Sequence, residues 1–447
     1  MTELEMVPSM FQLHTPIIRD NSMRSREFIR IQEKTSTNIE SLNKYEFELR
    51  NLDQYTYIHD SYLTVSAQIR LPNDTAPSTH VVGFLSSHAL FSEARYYLQN
   101  EMVEDYRGCG VVNSILLSTE KNRDNINSVS GNEYFYKEGG AGGNIIVAHT
   151  GGAYADLAPN DNYNDGFRKR VLRSKVAIVG NTKIVTMHIP LSSLFNFVKT
   201  FKKVSIGMKH GFSLYKNDVL DMVLSTTNDA EYSVKISKME WLVPVIKPSL
   251  QIENQLMSML SSNSALNISY SRRQYERSSV FGGTVSEINW RVASLSNKPL
   301  GMFVWSHFLT KEGLAQSNNL VPDPIEFTRM TVRYNSQQFP AEAYENQTFA
   351  TQQYGRLYDA YVHASTKEQD NEAGAVYSYD EFGRLFPVWY FDLSNTDESL
   401  FQTGICDLSV HGHRNSDAGA NWRMNCLIMY EKTLEIELSS GRMLLKQ

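Results

Sequence analysis

Two imidazoles one residue apart are the first candidates for chemistry. His411-Gly412-His413 puts both rings on one face of an extended segment, because side chains in a strand alternate with a period of two. Such a pair could begin a metal site or a cupin-like site. A third ligand at the usual local spacing is missing, so surface histidines are the favoured reading. Asp60, Glu93 and Asp392 are strand-associated carboxylates. None has a partner at the spacing that general acid–base catalysis needs. The chain contains neither GxSxG nor HExxH. Gly139-Gly140-Ala141-Gly142-Gly143 invites a phosphate-loop reading, but no Gly-Lys-Ser/Thr, no GxGxxG and no helix start follows it. A projecting loop with unusual backbone angles accounts for those glycines better. Arg272, Arg273 and Arg277 interleave with Tyr275, a cluster that could meet nucleic acid. A subunit contact or a solvated strand face is favoured there. The chain is therefore read as a non-enzyme, with no catalytic, cofactor-binding or metal residue and no cofactor, and its interface residues stay unassigned.

Bulk properties exclude further classes. Cys109, Cys406 and Cys426 are odd in number, far apart and form no CxxC. That argues against a disulfide framework and a cysteine zinc site, and for free thiols in a reducing compartment. A net charge of −6 disfavours nucleic acid as the main partner. The opening MTELEMVPSMFQL lacks the basic and apolar regions of a signal peptide. No apolar run approaches the ~20 residues of a membrane helix. Synthesis in the cytosol is expected, with the sequons at Asn73, Asn267 and Asn346 left unmodified.

The elements that carry these residues read as β-structure. Leu63, Val65, Ala67 and Ile69 alternate with Thr64, Ser66 and Gln68, the pattern of a strand with one buried face. The sequence predicts a short helix over 111–118, one helix over Leu191–Phe201 and a connecting helix over Leu250–Leu260. Two long excursions, 119–170 and Gln337–Tyr379, interrupt the strands. Three features recur between the halves. The strand reaching Asn100 matches the one reaching Asn335. Ile189-Pro190-Leu191-Ser192 matches Phe391-Asp392-Leu393-Ser394, and Leu194-Phe195 after it matches Leu400-Phe401. The strand Tyr232–Val245 matches Trp422–Leu438. At roughly 100–200 residues per domain, 447 residues divide into an arm (1–40), a first β-domain (41–248), a linker helix (249–264) and a second β-domain (265–447). The arm holds Arg19, Arg24, Arg26 and Arg30 diluted by Asp20 and Glu27, and is expected to be extended or disordered until it meets a partner. Many short strands without strand–helix alternation argue for sandwiches. Jelly rolls are one standard form, which pattern alone does not separate from the others.

A resemblance narrows the choice. Tyr57-Ile58-x-Asp60-Ser61-x-Leu63-x-Val65, followed by Ala89-Leu90-Phe91-Ser92-Glu93 running to Asn100, resembles the first jelly roll of double jelly-roll major capsid proteins of the polinton and adintovirus type. The segments Val185–Leu224 and Phe386–Glu437 extend it, and it covers roughly Tyr45 to Leu445. The resemblance implies an all-β fold of two tandem eight-stranded jelly rolls with short helices and long loop excursions. It also implies a homotrimer of pseudo-sixfold outline that tiles an icosahedral shell around double-stranded DNA. Penton or minor capsid proteins would be its partners, with weak or no direct nucleic acid contact. The place would be the virion, after synthesis in the host cytoplasm, with the nucleus as an alternative assembly compartment. The excursions would form outward towers and trimer contacts, with the arm near the inner face. A carbohydrate- or ligand-binding β-sandwich, a cupin-like enzyme and a domesticated capsid homologue are the alternatives.

Overall fold

The computed structural model describes residues 22–34, 39–50, 53–71, 81–139, 164–174, 176–178, 181–225, 231–261, 266–295, 297–335, 337–368, 374–394, 406–439 and 442–446. Arg19, the glycines Gly140, Gly142, Gly143, Gly151 and Gly152, the sequon at Asn73 and the Leu400-Phe401 pair lie outside them.

Eight strands build the first sandwich: β1 (Met23–Gln32), β2 (Lys44–Leu49), β3 (Tyr62–Arg70), β4 (Phe91–Leu98), β5 (Glu101–Arg107), β6 (Val185–Pro190), β7 (His210–Lys216) and β8 (Ser233–Pro248). They pair antiparallel as β1-β8-β3-β6 and β2-β7-β4-β5. Eight more build the second: β9 (Leu266–Arg277), β10 (Glu287–Leu295), β11 (Pro299–Phe308), β12 (Phe327–Tyr334), β13 (Gln337–Gln347), β14 (Trp389–Asp392), β15 (Cys406–His413) and β16 (Trp422–Ser439). Their orders are β9-β16-β11-β14 and β10-β15-β12-β13. Numbered from one within each half, both sandwiches read 1-8-3-6 over 2-7-4-5, the jelly-roll arrangement.

Alternation explains why each pair of sheets closes. Leu63, Val65, Ala67 and Ile69 on β3 are fully buried. Trp241 on β8 meets Phe212 on β7 edge-on at 5.0 Å, and Phe212 stacks on Phe47 of β2 at 4.9 Å, so aromatic rings bridge the two sheets. The second half repeats this with Phe327 of β12 edge-on to Trp389 of β14 and Trp422 of β16, each at 5.8 Å.

Four expectations are corrected. Within the segment read as an arm, Met23–Gln32 is the first strand of the first jelly roll, paired along its length with β8. Its inward residues Ile29 and Ile31 pack on the core. Its outward arginines, Arg26 to Asp60 at 2.7 Å and Arg30 to Glu240 at 3.4 Å, made the segment look like a solvated tail. The excursion after Gln337 begins with β13, an edge strand bonded only to β12, whose exposure accounts for its polar composition. Helices occupy parts of both excursions, including α2 (Asp165–Ser174), α4 (Gly355–Glu368) and α5 (Tyr379–Leu385). The predicted helix over Leu191–Phe201 is two turns, Leu191–Leu194 and Asn196–Thr200. Phe195 between them is extended, at φ −130° and ψ 124°. Its buried ring lies 5.1 Å from Tyr96, and that burial breaks the helix. The helix over 111–118 is present as α1 (Cys109–Glu120), and the connecting helix is α3 (Leu250–Ser261).

Candidate functional site

The basic-aromatic cluster of β9 is neither a solvated face nor free for nucleic acid. It is the seam between the two jelly rolls. Arg273 is nearly inaccessible, and its Nε donates to Glu104 Oε1 on β5 at 2.9 Å. Its Nη1 donates to Asn113 Oδ1 on α1 at 2.9 Å, and its Nη2 to Asn196 Oδ1 at 3.0 Å. The guanidinium lies 4.7 Å from the centre of the Tyr106 ring. Glu104 also accepts the backbone N–H groups of Asn196 at 3.2 Å and Phe197 at 2.9 Å, which caps the second of the two short helical turns. Burial lifts the Glu104 carboxyl above its ordinary value, and the Arg273 charge and those N–H groups oppose the lift. Three charge-assisted donors converge on this carboxylate, so the site is built to hold its charged form.

The rest of β9 follows in register. The Tyr270 hydroxyl donates to Val103 O at 3.1 Å, Arg272 pairs with Asp105, and Tyr275 lies against Gly108. Positions rising along β9 therefore meet positions rising along β5, so the two strands run in the same direction. As fifth and first strands of their jelly rolls, both rise toward the end from which the long third-to-fourth and fifth-to-sixth connections leave. The two sandwiches stand side by side with the same end up. The connections meet there: Tyr361 on α4 donates to Ser118 O on α1 at 2.9 Å, Arg123 Nε to Ala375 O at 3.0 Å, and Lys137 Nζ to Glu381 Oε2 at 2.6 Å.

Gly108 fixes how closely the halves approach. Its φ is +66°, and a Cβ there would lie 2.8 Å from Tyr275 Cε1. Tyr275 is itself packed against Trp305, whose ring stacks with it at 6.0 Å between centroids. Gly108→Ala combines left-handed strain with overpacking, an expected cost of about 2–3 kcal/mol. The urea midpoint checks this, and an unchanged midpoint would mean the seam is looser than the geometry shows.

The other candidates separate. His411 and His413 lie at the end of β15 and have different partners: His411 Nε2 contacts Ser409 Oγ at 2.9 Å, and His413 Nδ1 contacts Thr328 Oγ1 at 2.8 Å. Among the described residues no cluster of three or more metal-ligating side chains forms. Asp60 pairs with Arg26, Glu93 with Arg95 at 2.5 Å, and Asp392 with Lys367 at 3.4 Å, so the structure brings none of these carboxylates together. Cys109 and Cys426 are buried free thiols, and burial pushes the Cys109 thiol up to about 12. Sequence reasoning missed Glu104, Asn113 and Asn196, which lie far from β9 in the chain. A cue was available in Arg273 itself, which shares a strand face with Tyr275.

With this geometry in hand, comparisons with known proteins are informative. No protein of curated function matches the sequence. The fold is similar to a chain in the Sputnik virophage cryo-EM structure, at 10% identity and TM-score 0.64, covering 100% of this chain and 93% of that one. It is similar to the mavirus major capsid protein at 12% identity and TM-score 0.55, covering 100% and 96%. It is similar to the Faustovirus major capsid protein at 9% identity and TM-score 0.53, covering 94% and 93%. The model of the double jelly roll-like domain matches residues 143–434. That match runs from the long connection of the first jelly roll to the last strand of the second, and the chain accordingly belongs to the double jelly roll-like domain family.

Proposed function

We propose that this chain is a structural, non-enzymatic major capsid protein. It forms homotrimers of pseudo-hexagonal outline that tile an icosahedral shell around a double-stranded DNA genome. The carrying observation is the seam. It holds two jelly rolls of one topology upright and side by side, so that three copies would present six similar sandwiches around an axis. The solved relatives of similar fold include proteins named as major capsid proteins. A first jelly roll beginning at β1, a linker over 249–264 and a second jelly roll over 265–447 are the proposed domains. Penton or minor capsid proteins are the proposed partners, and the virion the proposed location. The quoted motifs support placement with the polinton and adintovirus type. Internal pairing of Arg272, Arg273 and Arg277 supports weak or no contact with nucleic acid.

Light scattering behind size exclusion, with negative-stain images of the peak, tests the proposal. A stable trimer with a hexagonal outline, or whole shells, is expected. A chain that stays monomeric at high concentration would overturn it.

A further inference from the structure

Above the Arg273–Glu104 pair the seam opens into a cleft of about 620 Å³, at the end from which the long connections leave. Its walls come from both jelly rolls, and its volume lies in the range of small-molecule sites. Its cations have partners within the chain: Arg277 with Glu312, Lys311 with Asp323 at 2.5 Å, and Arg107 with Glu93 at 3.4 Å. An anionic ligand would compete with each of these carboxylates.

Three neutral or half-buried functions remain. Asn425 on β16 is 1% exposed; its Oδ1 accepts from the Tyr275 hydroxyl at 2.7 Å, and its Nδ2 has no hydrogen-bond partner. His307 on β11 is 7% exposed and its Nε2 has no hydrogen-bond partner. Asp221 accepts from Asn319 Nδ2 at 3.1 Å through one carboxylate oxygen, and burial raises its pKa. An orphaned buried donor is destabilising, and a ligand atom at the right place removes that cost.

These groups differ in what they ask of a ligand. The Asn425 amide needs an acceptor and the Asp221 carboxylate needs a donor, while His307, whose Nδ1 lies 3.8 Å from Asp323 Oδ2, presents its Nε2. A hydroxyl donates and accepts through the same oxygen and meets all three. A peptide presents fixed donors and fixed acceptors, and meets them only in one register. Tyr275 already stacks with Trp305 and contacts Gly108, so hydrogen bonding is the basis of recognition there.

We propose that the cleft between the jelly rolls binds a neutral saccharide through Asn425, His307 and Asp221. In the capsid reading, on which the biological setting of the site rests, the cleft lies at the outward end of the subunit. Binding itself does not depend on that reading.

Saturation-transfer NMR on the purified full chain tests it. Lactose, cellobiose and N-acetyllactosamine are the neutral probes, with galacturonate as the anionic and triglycine as the peptide comparison. Transfer to at least one neutral disaccharide is expected. His307→Phe and Asp221→Ala, each checked for an unchanged melting temperature and assembly state, should each weaken that binding roughly tenfold, the equivalent of one lost hydrogen bond. Should one variant fail to fold, the other carries the test. Absence of transfer to any neutral probe at millimolar concentration overturns the inference, as does a preference for galacturonate or triglycine. Equal binding by a folded variant also overturns it. A trimer that binds no saccharide removes this inference and leaves the assembly proposal standing, whereas a monomer that binds does the reverse.

Discussion

Arg273→Met lowers the stability of the whole chain by about 3–5 kcal/mol, the range for removing one partner of a buried ion pair. The cost arises less from the lost attraction than from what stays behind. Glu104 remains inaccessible at the seam, facing Asn113 and Asn196, whose side-chain oxygens lose their donors together. Methionine fills much of the arginine volume, so the loss reports charge and hydrogen bonding more than a cavity. Glu104→Leu is expected to cost at least as much, because it also strands the N–H groups of Asn196 and Phe197. The double variant should cost less than the sum of the two, since each single change already removes the shared interaction. Urea unfolding followed by tryptophan fluorescence measures all three. The second jelly roll holds Trp290, Trp305, Trp389 and Trp422 and the first holds Trp241, so uncoupled halves would unfold in separable steps. A fall of less than 1 kcal/mol with one coincident transition would show that apolar packing, not this pair, holds the halves together.

Much of this architecture was legible because the chain repeats itself. The three correspondences between the halves fall on equivalent strands. The strands reaching Asn100 and Asn335 are β4 and β12, each fourth in its jelly roll, and both asparagines adopt positive φ, 71° and 52°. Ile189-Pro190 ends β6 and Phe391-Asp392 ends β14, each the sixth strand. The terminal strands are β8 and β16, each the eighth. Interior strands announce themselves by burying one face in every jelly roll. The edge strands β1 and β13 do not. β1 carries charge on its outer face and β13 is polar along most of its length, so composition alone reads both as irregular. The seam was hidden for a different reason. An arginine that pairs with a buried carboxylate looks like a surface arginine until the partner arrives from another domain, and Glu104 stands between two ordinary acidic neighbours at Glu101 and Asp105. Motif spacing reports on local chemistry, and this site is assembled by topology.

Acidification from about pH 7 to about pH 4.5 removes roughly 5 kcal/mol of stability, through two histidines buried in the neutral form. His88 and His210 are 1% and 0% exposed, and burial pushes the pKa of each down to about 3. Lys121 and Arg273 add to the effect at His88. Hydroxyl partners stabilise the neutral rings. The Tyr96 hydroxyl and His210 Nδ1 are 2.7 Å apart, and His210 Nε2 lies 3.1 Å from Ser205 Oγ. The neutral ring has one N–H and one lone pair, and each faces a hydroxyl that can accept or donate. At His88, Ser193 Oγ donates to Pro190 O at 2.7 Å and accepts from Nε2–H at 2.9 Å. In the unfolded chain both imidazoles take up a proton below about pH 6.5, while in the folded chain they stay neutral down to about pH 3. The unfolded state therefore binds more protons in this window, and stability falls as the pH falls, by about 1.4 kcal/mol per unit for each ring. Glu104 and Glu133, lifted by burial above the ordinary carboxylate value, act in the opposite sense within the same window and offset part of this loss. Urea midpoints at the two pH values measure the loss, and His210→Gln should roughly halve it, since the comparison within each variant cancels any cost that is independent of pH. Equal stability at pH 7 and about pH 4.5, or a loss left whole in His210→Gln, would show that these rings are open to solvent protons in the folded chain.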